Sequence, residues 1–406
     1  MPSEFQSLKE SSEFLNLLID NIEAAVLIVD EDLRIHQFNR SFLDLFDQAA
    51  DQLKLPSFGE VSGCVNAVKE RQPCGSTSQC QFCLLRKSLL KTFSDRTPID
   101  RQRLDRTFYI KGQAVRKHLE FSARPIQFQG RKMILVILYD ITVLEQQKKD
   151  LEEKQATIEK DLQAARKIQM SLLPDRAVAL PHIQTAWQFE PCQHVGGDIF
   201  QIYANSPEEI GTYVLDVCGH GVSAALVAVT VYQFLHSLHN RMRLTGRMFS
   251  PQAVIDRLEE AFPLDRFNCF FTIVYATLNL HSGRFVYANA GHVPPVILHA
   301  DGGLEALEHH GTVIGVGLDS SSGQDERQLA PGDRVMLYTD GLLDNFGPDG
   351  ERKGRDLFYS ALRDFNTLPL DRLLTDIFTR AHDFRGKTVP GDDMSLFAIA
   401  YGGLAG

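Results

Sequence analysis

The sequence predicts an α+β protein: two mixed domains joined by a long helix. Three observations carry this. The 406 residues are 44% hydrophobic, enough for two or three cores, since domains run to about 100–200 residues. Short apolar strands alternate with helical patterns in both halves. Between the halves lies a heptad-spaced run with no Gly or Pro, 143–173.

Residues 1–13 read as a tail; MPSEFQSLKE lacks the basic, apolar and small-residue order of a secretory signal. From 14 to 142, the segments AAVLIVD, RIHQF, LEFSARPIQF and KMILVILYD are strands, and a helical pattern follows Asn39, giving a small α+β domain. The longest apolar runs, such as MILVILY at 133–139, are strand-length, so no membrane span is expected and the chain reads as cytoplasmic. In 143–173, Leu144, Leu151, Ile158, Leu162, Ala165 and Leu172 form a heptad seam, with Lys148 and Gln155 at core-type positions. The expectation is a coiled-coil linker that makes a homodimer; a single solvated helix is the alternative. Residues 174–406 form the second, larger domain. The formal charge of -10 argues against nucleic acid or an anionic membrane as the main partner.

The chemistry lies where strands end. VGGDIFQIY places Asp198 after two glycines at the head of a strand, and the turn NSPEE returns the chain into YVLDVCGHG, so Asp198 and Asp216 fall on adjacent strands. RVMLYTDG ends a strand at Asp340, and PGDDMSLFAIAY starts one after Asp392 and Asp393. Any one Asp-Gly is more often a turn than a ligand. Together they would bury uncompensated charge unless a cation met them, and several carboxylates suit Mg²⁺ or Mn²⁺ rather than zinc.

The motifs AARKIQMSLLP, VGGDIFQI, LDVCGHGVSAAL, ANAGHVPPVIL, LAPGDRVMLYTDGLLD and GDDMSLFAI, in that order, resemble the SpoIIE/RsbU branch of the metal-dependent (PPM, type 2C) serine/threonine phosphatases over nearly all of 164–402. The resemblance implies a sandwich of two antiparallel sheets flanked by helices, with two Mn²⁺ or Mg²⁺ ions at one edge. It implies that Asp216 bridges both ions, that the Val217 carbonyl joins one, and that Asp198, Asp340 and Asp392 complete the shells, with Asp393 behind them. A water activated by the two ions would then attack phosphorus in line. Cys218 stands where serine is more usual in that branch, and Asp344 where glutamate often follows. His220 is a candidate general acid or a turn hydrogen-bonder; for His292 the structural role is favoured. The implied substrate is a phosphorylated STAS-domain antagonist of an anti-sigma factor.

EAAVLIVDEDLRIHQFNRSFLDLF, followed later by ILVILYDITVLEQQKKDLE, resembles the start and end of a PAS sensor domain. Four of the seven cysteines, Cys64, Cys74, Cys80 and Cys83, are spaced C-x9-C-x5-C-x2-C within it, which points to zinc or an iron–sulfur cluster, with free thiols or a transient disulfide as the alternative. Two function classes remain: a sensor-switched phosphoprotein phosphatase, or a catalytically weak scaffold that binds the antagonist or an anti-sigma factor. A nucleotide-using kinase or cyclase is disfavoured, since no Gly-x4-Gly-Lys-Ser/Thr loop occurs and GGD at 196–198 is too short to indicate a cyclase.

Overall fold

The computed structural model describes residues 17–48, 56–128, 130–175, 180, 182–246, 248–317, 323–346, 351–386 and 390–403. The expected tail, 1–13, lies outside them. The chain divides into two compact units, Met1–Ala156 and Thr157–Gly406.

The first unit is built on one antiparallel sheet in the order β2-β1-β5-β4-β3. Its strands are β1 (Ala25–Val29), β2 (Ile35–Phe38), β3 (Ile99–Ile110), β4 (Gln113–Phe128) and β5 (Arg131–Asp140). In β1, every second residue is buried, the period of a strand with one face on a core. Helix α1 (Arg40–Phe46) starts at Asn39, whose buried amide accepts from the backbone N–H of Phe42 and of Val26 and donates to the carbonyls of Ile19 and Ala24. The cap thereby ties the helix to β1. Helices α2 (Phe58–Val61), α3 (Val65–Glu70) and α4 (Leu84–Asp95) complete the cover. Phe42, Phe46, Phe58 and Phe108 meet edge-on or tilted beneath it.

Helix α5 (Thr142–Met170) spans most of the predicted linker. Leu144, Leu151 and Ile158 are 62%, 67% and 60% exposed, so the first three seam positions are uncovered within one chain. The seam ends earlier than the spacing predicts. Ser171 N–H bonds back to the carbonyls of Lys167 and Ile168, the helix stops, and Leu172 packs instead into the core of the second unit.

That second unit is a four-layer sandwich. One sheet runs β13-β10-β9-β8-β7 and the other β12-β11-β14-β15-β6. The strands are β6 (Ile183–Glu190), β7 (Ile199–Ser206), β8 (Glu209–Val217), β9 (Phe271–Asn279), β10 (Arg284–Ala290), β11 (Val296–Leu298), β12 (Leu304–Ala306), β13 (Asp325–Gln328), β14 (Arg334–Tyr338) and β15 (Met394–Tyr401). The inner faces meet through Phe200, Val214, Val274 and Phe285 against Val335, Leu337, Phe397 and Ile399, with Phe200 and Phe397 stacked at 5.6 Å. Helices α6 (Val222–Thr245), α7 (Pro251–Ala261) and α8 (Leu264–Phe267) follow β8; α6 and α7 cover the outer face of the first sheet. Helices α9 (Asp340–Phe346), α10 (Glu351–Asp364) and α11 (Leu370–Arg385) cover the second. Because both faces of the central strands are covered, β8 and β15 read as nearly continuous apolar runs rather than alternating ones. Helix α6 is long and apolar enough to cross a membrane by composition, but it lays Ala224, Ala228, Val231 and Leu235 on the first sheet.

Candidate metal centre

The β7–β8 hairpin sets the first two carboxylates. Ile199 pairs with Leu215, which puts Asp198 and Asp216 at the same end of the hairpin. In the other sheet, Tyr338 pairs with Leu396, so the residues after β14 (Thr339, Asp340) and before β15 (Asp392, Asp393) share one end as well. The two ends coincide. Asp198 is buried, and its Oδ2 accepts from the hydroxyls of Thr339 at 2.8 Å and Ser395 at 2.6 Å. A carboxylate of the first sheet is therefore held by hydroxyls of the second.

Asp393 does a different job. Its two oxygens accept from the backbone N–H of Cys192 at 2.8 Å and of Gly197 at 2.6 Å, fixing the loop that leads into Asp198. The close approach explains two of the motif glycines. A Cβ on Gly196 would overlap the Asp393 carboxylate, and one on Gly341 would overlap the Asp393 carbonyl. The same loop is gripped from the end of α5. The buried Gln169 amide donates to Gly196 O at 2.7 Å and accepts from Gly196 N–H at 3.1 Å.

So many carboxylates at one edge repel one another. Burial, followed by the charges of Asp340, Asp392 and Asp393, pushes Asp216 up to about 7. Burial, then Asp216 and Asp393, holds Asp198 well above the usual carboxylate range, against the hydroxyls of Ser395 and Thr339. Burial also raises Asp392, helped by Asp393 and Asp344 and opposed by nearby His220. An all-oxygen set of this kind fits hard divalent cations, and the Val217 carbonyl lies against Gly197 at the same edge. Cys192 adds one sulfur: its ligand atom and those of Asp392 and Asp393 lie within 4.8 Å of one another. With burial and the two aspartates beside it, the Cys192 thiol is pushed up to about 12.

The histidines separate by role. His220 is exposed, and its Nδ1 lies 2.8 Å from Gln193 Nε2. His292 is buried: Nε2 donates to Tyr338 O at 2.9 Å and Nδ1 accepts from the Thr272 hydroxyl at 2.7 Å. Burial lowers it to about 4, so it is a neutral strut between the sheets, and Thr272 pairs directly with Asp216. Cys218 is an exposed thiol whose N–H bonds Phe270 O, and Asp344 is exposed on α9. Sequence reasoning missed Thr339, Ser395, Gln169, Gln193 and Cys192. A signal existed for the first two: small hydroxyl residues flanking a buried carboxylate are the donors such a charge requires.

In the first unit, Cys64, Cys80 and Cys83 face Arg106, and Cys74 lies beside Cys64 and Cys80. Burial disfavours the charge of Arg106, but Cys83, Cys64 and Cys80 outweigh that and raise its pKa. Arg106 Nη1 is 3.5 Å from Cys64 Sγ. No three of the four sulfurs lie within 4.8 Å of one another, so no zinc-sized cage is formed.

The second unit has a PP2C-like fold. The SiaA-PP2C domain of Pseudomonas aeruginosa superposes with a TM-score of 0.52 at 23% identity, covering 61% of this chain and 98% of that one. Residues 206–402 match the family of the stage II sporulation protein E (SpoIIE), and residues 13–74 match a PAS domain. It is 31% identical over 193 residues to phosphoserine phosphatase RsbP of Bacillus subtilis, covering 46% of this chain and 45% of that one. It is 25% identical over 219 residues to phosphoserine phosphatase RsbU of the same organism, covering 53% and 63%. The chain thus spans less than two thirds of the curated relatives' lengths.

Proposed function

We propose that this protein is a signal-regulated protein serine/threonine phosphatase: a sensor domain at 14–142, a linker at 143–173 and a catalytic domain at 174–406. The observation that carries the proposal is the convergence of Asp198, Asp216, Asp340, Asp392 and Asp393 on one sandwich edge, where their mutual repulsion raises Asp198 and Asp216, in a domain similar to phosphoserine phosphatases. In this reading Asp216, the Val217 carbonyl, Asp340 and Asp392 hold two Mn²⁺ or Mg²⁺ ions, and Asp198 joins them directly or through water. Such ions would supply an activated water and neutralise charge on the phosphoryl group.

The chain's own residues do the rest. Thr339 and Ser395 keep Asp198 in place, and Asp393 with Gln169 keeps its loop in place. As an imidazolium, His220 can hand a ring proton to the leaving serine or threonine oxygen and return to the neutral imidazole, and Gln193, 2.8 Å from Nδ1, holds the ring in place. The substrate is proposed to be a phosphorylated STAS-domain antagonist of an anti-sigma factor, met in the cytoplasm, and the uncovered seam of α5 to pair with that of a second copy.

The test is release of phosphate from a phosphoserine protein with Mn²⁺, compared with consumption of ATP or GTP. Asp216→Asn, Asp340→Asn and Asp392→Asn should each remove most Mn²⁺-dependent turnover while leaving the circular dichroism spectrum intact. Near-wild-type turnover in all three, or nucleotide consumption in place of phosphate release, would refute the assignment.

A further inference from the structure

The four clustered cysteines lie outside the phosphatase chemistry, and the structure gives them a setting of their own. A cavity of about 40 Å³ lies beside them. Cys64, Cys74 and Cys83 line it together with Arg86, Arg106 and Phe108. Cys80 sits beside it; its sulfur accepts from Gly75 N–H at 3.1 Å and lies 3.0 Å from the Thr77 hydroxyl. Neither arginine has a carboxylate partner among the described residues, although Arg106 Nη1 reaches Cys64 Sγ at 3.5 Å. Arg106 faces Cys64, Cys80 and Cys83, and Arg86 faces Cys80, so two guanidinium groups stand among the sulfurs in a pocket otherwise walled mostly by apolar side chains.

We propose that Cys64, Cys74, Cys80 and Cys83 ligate one iron–sulfur cluster in the sensor unit, with Arg86 and Arg106 balancing its charge. Three observations select this ligand. Four thiolates on a cluster core carry roughly two net negative charges, which the two arginines match. Tetrahedral zinc, with Zn–S bonds of about 2.3 Å, needs sulfurs about 3.8 Å apart, whereas no three of these sulfurs fall within 4.8 Å. A cluster that binds each cysteine through a different iron keeps the sulfurs farther apart and fills the space between them. Finally, N–H and O–H groups directed at a ligand sulfur, as at Cys80, stabilise cluster thiolates and tune their potential. The inference rests on the first unit alone and is independent of the reading of the aspartate site.

The experiment uses the full chain, purified without air and analysed for iron, acid-labile sulfide and zinc, alongside its visible spectrum. The expected result is iron and sulfide in about equal amounts with visible charge-transfer absorption. Protein isolated without metal should take up the cluster from ferric iron and sulfide under anaerobic conditions with dithiothreitol, whose thiols supply the electrons that reduce part of the iron. One zinc per chain with no iron, or no uptake of iron and sulfide, overturns the proposal. Cys80→Ser and Cys83→Ser should each lose most of the bound iron, while Cys269→Ser retains it. Should the cysteine variants fail to fold, Arg86→Gln combined with Arg106→Gln leaves every sulfur in place. That variant should lose iron to a chelator several-fold faster than wild type, and an unchanged rate overturns the charge pairing on which the assignment depends.

Discussion

Gln169→Leu tests whether the helix preceding the catalytic domain holds the metal site in shape. The substitution keeps a side chain of similar length in a position that is 3% exposed, and removes only the amide that bonds both backbone groups of Gly196. Two neutral hydrogen bonds are lost, about 1 kcal/mol each in net terms. The orphaned N–H and C=O of Gly196 add about 1–3 kcal/mol each unless the loop shifts to reach water. A loop shift is the cheaper outcome, and Asp198 lies two residues along that loop. At a floor of about 2 kcal/mol, the half-saturating Mn²⁺ concentration should rise about 30-fold, since 1.4 kcal/mol is tenfold. Gln169→Glu should be at least as harmful, because it sets a carboxylate against the Gly196 carbonyl. The assay is phosphate release against Mn²⁺ concentration, with thermal unfolding on the same samples. Wild-type Mn²⁺ dependence in Gln169→Leu would show that the clamp does not position Asp198. So would a loss confined to the melting temperature.

The paired hydroxyls can be removed one at a time: Thr339→Val or Ser395→Ala should each weaken Mn²⁺ binding about tenfold by stripping a donor from buried Asp198, measured by calorimetry, and no change would exclude them as supports. Asp216 is raised to about 7 from 3.8, so the folded chain without metal binds a proton that the unfolded chain has released. Stability in EDTA should therefore be greatest below about pH 4 as far as this group is concerned and fall as pH rises toward about 7, and Mn²⁺ should flatten that fall; melting curves against pH, with and without Mn²⁺, would refute this if they rose or matched. Leu151→Asp with Ile158→Asp should leave one chain's fold unchanged and convert a dimer to a monomer with an altered dephosphorylation rate; a monomeric wild type by mass in solution, or an unchanged rate, would refute the pairing.

Much of the carboxylate site was legible because each aspartate stands at the end of an apolar strand, where a charge has to be explained. The pairing of Asp198 with Asp216 followed from a short hairpin, which fixes register locally. What was not legible depends on distant partners. Nothing in the spacing shows that β6 pairs with β15, or that His292 reaches across to Tyr338 O. Gln169 was hidden for a related reason: it lies in a polar helical run whose heptads draw attention to the leucines. The same heptads extended the seam to Leu172, one turn too far, because the pull of a tertiary core does not register in helical periodicity.

Asp393 clamps backbone groups 201 and 196 residues earlier in the chain, and this bears on how the protein is made. On a ribosome, the loop that carries Asp198 emerges long before its anchor. Among the described strands β6 has β15 alone as a neighbour and β14 lies on the other side of β15, so the second sheet stays divided until Met394–Tyr401 is released. Such non-local pairing makes folding slow and delays its decisive step until Met394–Tyr401 is available. A chain that stops short of Asp392 therefore lacks both Asp392 and the Asp393 anchor of the Asp198 loop, so the carboxylate edge cannot close however well the rest of the domain folds.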